Sequence, residues 1–142
     1  MNERIAFRLL VLAEIAFAIG AGVIDATWPS LLPEPIRQGL TAYEATRTDG
    51  LMLGALMLPV LILALVSSIG LLLFWSPARW LYAIGVLVSI PATLVLGPDV
   101  ASAPAATLFM LAEVTSGVIM AAMFLPPVAR HFEPAAGQAS PG

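Results

Sequence analysis

The chain contains no cysteine, which excludes disulfides, thiolate nucleophiles, iron–sulfur ligation and cysteine-based zinc sites together. It contains no lysine either, so all six positive charges are arginine and Schiff-base chemistry is closed to it. The one histidine, His131, stands near the C-terminal end, so two histidines of one chain cannot bracket a haem. Charge of either sign is scarce, 11 % of 142 residues, where a soluble domain carries about 25 %. The net charge of −3 provides no basic field to attract nucleic acid. Glycine-rich phosphate loops, metal-ligand clusters and a nucleophile paired with a base are all missing, so neither enzyme activity nor a cofactor is expected.

What the chain has in abundance is apolar surface: 60 % of its residues are hydrophobic and the mean hydropathy is +0.97. Such a sequence cannot cover a water-facing surface but suits a lipid-facing one. Four apolar stretches stand out, at about 5–24, 51–74, 80–96 and 105–125. A helix rising 1.5 Å per residue crosses a 30 Å hydrocarbon core in about 20 residues, with about 17–25 tolerated. In lipid each stretch must satisfy its own backbone, so helix is the expected state. The expected fold is an all-α integral membrane protein, an antiparallel four-helix transmembrane bundle filling residues 1–133, followed by a disordered Pro/Ala/Gly/Ser tail at 134–142. Arg4, Arg8 and Ala16-Phe17-Ala18 give the first stretch some likeness to a secretion signal, but Glu14 interrupts its apolar run and an uncleaved span is expected.

Arginine placement predicts the orientation. With the N-terminus inside, Arg4, Arg8, Arg79 and Arg130 are cytoplasmic and only Arg37 and Arg47 lie outside, giving N-in and C-in. Trp75 and Trp80 flank a tight inner turn and Trp28 marks the outer end of the first span. Abundant Ala, Gly, Pro and Arg without Lys fits a GC-rich bacterial genome, hence a bacterial inner membrane. In the first outer loop Ile36, Leu40 and Tyr43 recur at i, i+4 and i+7. This spacing predicts either a short amphipathic helix lying on the outer membrane surface or an ordinary loop capping the bundle. Gly97-Pro98-Asp99 opens the second outer loop.

Two acids are out of place. Glu14 and Glu113 fall near the middle of the first and fourth spans, where a carboxylate costs about 2.5–3.5 kcal/mol on insertion scales. From Glu14 a stripe of Ala18, Ala21, Gly22 and Asp25 shares its face, and from Glu113 a stripe of Ser116, Gly117 and Ala121. Small residues let helices approach closely in lipid, so both glutamates are expected to point into the bundle, share a hydrogen bond and hold at least one proton between them. Three roles are open: polar glue between helices, which ranks first; a proton or cation relay; or contact with a polar group of a partner subunit.

Lesser features are the small-residue pairs Gly50/Gly54 and Gly85/Ser89, the in-span prolines Pro59 and Pro91, and Met110, Met120 and Met123 as gap-fillers. His131 is expected to be solvated or near headgroups, and Arg79 and Arg130 are candidates for anionic lipid headgroups. Leu12-Ala13-Glu14-Ile15 is similar to the start of the small multidrug resistance transporters, in which such a glutamate exchanges drug for protons. The likeness covers four residues. The first outer loop is longer here, the third span lacks that family's aromatic-glycine signature and the fourth carries a second acid, so no transport role is carried over. The expected function is an accessory or scaffolding subunit of a larger membrane complex, or a homo-oligomer. Its expected partners are the lipid bilayer and another membrane protein or a second copy. The alternative is a proton-coupled transporter of small solutes or ions.

Overall fold

The computed structural model describes residues 2–46, 50–96 and 100–132. Helices and turns, with no strand, make up the described residues. The first helix, α1, runs Glu3–Thr27. It starts where the Asn2 side chain accepts the Arg4 backbone N–H at 3.2 Å, satisfying one of the donors a helix start leaves open. It stops at Trp28, because the residue before a proline is driven out of helical geometry, and Pro29–Leu31 form a single 3-10 turn. The amphipathic helix expected in the first loop is α2, Glu34–Thr46, its Glu34 side chain accepting bonds from Arg37 and Gln38 one turn on. Then come α3, Gly50–Leu72, and α4, Ser76–Leu96, which contain Pro59 and Pro91. The last long helix, α5, spans Ala103–Phe124. After it Pro126 and Pro127 cannot extend the helix, and the chain doubles back through a 3-10 turn at Ala129–His131.

Two helices, α1 and α5, are long and apolar enough to cross a membrane, and 58–72 of α3 is a shorter apolar segment. The expected tail and Gly97-Pro98-Asp99 lie outside the described residues.

The long helices pack as two antiparallel pairs, α1 along α5 and α3 along α4, with sparser contact between the pairs. Along α5 the seam recurs every seven residues at Ala105, Ala112 and Ile119, all buried. The pairs meet most closely at the end where the α3–α4 turn lies. There Phe7 and Val11 of α1, Leu71 of α3, Ala78 and Tyr82 of α4, Ile119 and Met123 of α5, and Phe132 beyond it form one buried cluster. Away from that end, large apolar side chains stand outward, among them Leu58, Leu87, Met110 and Val114.

The α3–α4 turn is built by a hydrogen-bond pair that closes the helix C-terminus: Trp75 N–H donates to Gly70 C=O at 2.8 Å and Phe74 N–H to Leu71 C=O at 3.1 Å. This closure needs a left-handed residue, and Phe74 takes it at φ 55°, a position where glycine is usual and a bulky side chain costs about 1–3 kcal/mol. What offsets the strain is aromatic packing: the Phe74 ring lies 5.6 Å from Phe7, 5.2 Å from Phe132 and 5.7 Å from His131, centroid to centroid. Arg8 completes the joint, donating to Leu72 C=O at 2.9 Å with its guanidinium 5.5 Å from the Phe74 ring centre. A cation there also suits the negative end of the α3 dipole.

Candidate functional site

Glu14 occupies the middle of α1, on the face that carries Phe7, Val11 and Ala21 into the interior. The residue is half-buried. Its carboxylate oxygen Oε1 accepts a hydrogen bond from the Tyr82 hydroxyl, and Tyr82 lies 2.6 Å from Ser116 Oγ. With the single phenol proton committed to Glu14, the Ser116 hydroxyl is the donor to Tyr82. One chain of bonds, Ser116 to Tyr82 to Glu14, therefore ties α5, α4 and α1 together at mid-height. Tyr82 is buried at 6 % exposure, so nearly all its hydroxyl's bonding is supplied by these two partners. The second carboxylate oxygen of Glu14, Oε2, is buried with no hydrogen-bond partner among the described residues.

Glu113 does not join this site. It too stands in the middle of its helix, but its side chain is exposed, and among the described residues nothing bonds to its carboxylate. The expected sharing of a proton between Glu14 and Glu113 is therefore corrected: Glu14 bonds to Tyr82, and Glu113 faces away from the chain's interior. The helical geometry explains why. At about 100° per residue, Ser116 lies about 60° to one side of Glu113 and Gly117 about 40° to the other. The small-residue stripe straddles the boundary of the packed face. Ser116 faces in, while a Cβ on Gly117 meets nothing within 4 Å.

Asp25, the third expected polar residue, holds the other end of the α1–α5 pair. Its Oδ1 accepts the Ser102 N–H at 3.1 Å and the Ser102 hydroxyl at 2.5 Å. The carboxylate thus sits at the positive N-terminus of α5, where the helix dipole favours it. Its expectation came from the stripe below Glu14, of which Ala21 is fully buried while Ala18 and Gly22 are exposed.

The two arginines expected to meet lipid headgroups have protein partners. Arg130 donates to Glu3 at 2.8 Å, an exposed pair worth about 0–1 kcal/mol. Arg79 is pinned 5.9 Å from the ring centres of both Trp80 and Phe124, with its Nε buried and without a hydrogen-bond partner among the described residues. His131, expected to be solvated or near headgroups, is half-buried. It packs against Phe74 and its Nδ1 accepts the Arg4 Nε–H at 3.2 Å. No group of three or more His, Asp or Glu side chains among the described residues is placed to hold a metal ion.

Sequence reading missed Tyr82, Ser102 and Phe132, and gave Ser116 only a place in a stripe. Each depends on a contact 34 to 77 residues away or on the doubling-back after α5, which helical periodicity does not encode. Comparison of the chain with protein-family models, with curated proteins and with solved structures gives no match.

Proposed function

We propose that the chain is a non-catalytic, four-span protein of a bacterial inner membrane that serves as an accessory or scaffolding subunit of a larger membrane complex, or as a homo-oligomer. The observation that carries this reading is Glu113: a carboxylate exposed at the middle of an apolar helix, with Met110 and Val114 beside it each 67 % exposed. A charge facing lipid at mid-depth costs about 2.5–3.5 kcal/mol, and covering it with another protein surface removes that cost. Supporting the four spans, α3 and α4 have 23 and 21 residues, about 35 and 32 Å of rise. Supporting the orientation, Arg4, Arg8, Arg79 and Arg130 gather at one end of the bundle, around the α3–α4 turn, the start of α1 and the 3-10 turn after α5. At the other end Arg37 is neutralised by Glu34, the pattern of a cytoplasmic N-terminus and C-terminus. Exposed Ile36 and Tyr43 on α2 suit a helix lying on the outer membrane surface.

The test is extraction of the tagged protein in a mild detergent, with native mass and identification of whatever accompanies it. The expected result is an assembly heavier than the 14.9 kDa chain that Glu113→Gln weakens. A monomer indifferent to that substitution refutes the reading.

A second reading, a proton-coupled carrier, is favoured by one observation, the buried and unpartnered Oε2 of Glu14. It requires that Glu14→Gln abolish a pH-dependent flux in liposomes while the protein still expresses. An unchanged flux removes it.

A further inference from the structure

We infer that the outward face of α5 binds a transmembrane helix of a different protein, one that presents a basic side chain to Glu113 at mid-depth. The inference rests on the membrane-subunit reading above and deepens it by naming the partner's chemistry.

Glu113 lies among Met110, Val114, Gly117 and Ala121, all exposed, with open space beyond the Gly117 backbone. A neighbouring helix can therefore come close at Gly117, close enough to reach the carboxylate. Charge decides between a second copy and another protein. Four of the described arginines, Arg4, Arg8, Arg79 and Arg130, are at one end of the bundle and engaged there, and Arg37 belongs to α2 and is paired. Glu113 sits 11 residues from the last residue of α5, since 124 less 113 is 11, about 16 Å along the axis. Because it is at the midpoint of α5, a second copy docked through this face in either direction brings its own Glu113 to that depth and keeps its arginines near the helix ends. Two acids then meet with no basic group at that depth, and the most they offer each other is a shared-proton hydrogen bond. A helix with a lysine, arginine or protonated histidine at mid-span instead supplies the opposite charge, the usual arrangement for ionisable groups inside membranes.

The probe is a synthetic transmembrane peptide, a Leu/Ala helix of about 21 residues with a central lysine. It is compared with the same helix carrying a central leucine. The full chain, labelled on a single cysteine introduced as Ser30→Cys, is reconstituted in phosphatidylcholine vesicles and binding is read by energy transfer. The expected result is about threefold to thirtyfold tighter binding of the lysine helix, the span of measured polar contacts between membrane helices. Glu113→Gln should erase that preference, and Val114→Trp should obstruct both peptides. Equal binding of the two peptides, or a preference that survives Glu113→Gln, overturns the inference. Energy transfer between copies of the chain that Glu113→Gln abolishes also overturns it, making a second copy the occupant while leaving the subunit reading standing. A chain that does not insert into the vesicles overturns the membrane reading itself.

Discussion

Replacing Gly70 with alanine should open the α3–α4 hairpin. A Cβ added there falls 2.5 Å from the Ala78 Cβ and 3.1 Å from Trp75 Cε3, whereas carbon atoms pack at about 3.5–4.0 Å. The deficit against Ala78 is about 1 Å, and neither methyl can rotate away because each is fixed to a helix backbone. Overpacking of this kind costs about 1–3 kcal/mol. Alanine also gains about 1 kcal/mol of helix propensity over glycine, which masks part of the cost, so a reference is needed. Gly22→Ala provides it, because its Cβ meets nothing within 4 Å and it takes the same propensity gain. Gly70→Ala should therefore be less stable than Gly22→Ala by about 1–3 kcal/mol. The assay is unfolding in dodecyl maltoside titrated with dodecyl sulfate, followed by far-ultraviolet circular dichroism. Adding Ala78→Gly to Gly70→Ala should restore most of the loss, because the two changes share one contact. Equal stability of Gly70→Ala and Gly22→Ala, or no rescue by the second change, refutes the close approach.

Tyr82→Phe removes both bonds of the hydroxyl that ties α1, α4 and α5; it should cost about 1–3 kcal/mol in the same titration, and Ser116→Ala less. A Tyr82→Phe protein as stable as the parent argues that the three helices are not joined there. Phe132→Ala leaves a hole under the cluster in which Phe132 is 1 % exposed and should cost about 3–5 kcal/mol; a near-neutral result means that the segment after α5 does not dock. Ser102→Ala removes the hydroxyl bond to Asp25 but keeps the backbone N–H bond. It should cost about 0.5–1.5 kcal/mol and speed hydrogen exchange at the start of α5, and unchanged exchange there would count against the latch.

Much of this fold is legible in the sequence because apolar run length and the helical period impose simple rules on it. The apolar stretch 5–24 sits inside α1 at Glu3–Thr27, and 105–125 matches α5 at Ala103–Phe124 to within two residues. The i, i+4, i+7 pattern of Ile36, Leu40 and Tyr43 falls on α2. The stripe below Glu14 is interior only along one edge, where Ala21 is buried in line with Phe7 and Val11, while Ala18 and Gly22 are exposed. On α5 the same reasoning fails because small residues lie on both sides of Glu113. The better signal was the seven-residue spacing of Ala105, Ala112 and Ile119, buried positions that lie about 80–120° away from Glu113 around the helix. Tyr82 gave no signal, because a single tyrosine in an apolar helix acquires meaning only when the acid that needs its proton is brought alongside. The hairpin turn was legible from Trp75-Ser76-Pro77, but Phe74 in a left-handed conformation was not, since its aromatic partners come from α1 and from beyond α5.

The outward direction of Glu113 carries the proposed function, and a nitroxide scan of α5 tests it most directly. The cysteine-free chain accepts single cysteines at positions 109 to 119 without background labelling, and the purified protein is placed in lipid nanodiscs. Collisions with oxygen should peak at 110, 113, 114 and 117 and fall to minima at 112, 116 and 119, while collisions with a water-soluble nickel complex stay low throughout. That pattern means a lipid-exposed Glu113 on a membrane-spanning helix. A scan with 113 protected and 112 exposed contradicts the outward carboxylate, and high nickel accessibility at mid-helix contradicts the span itself.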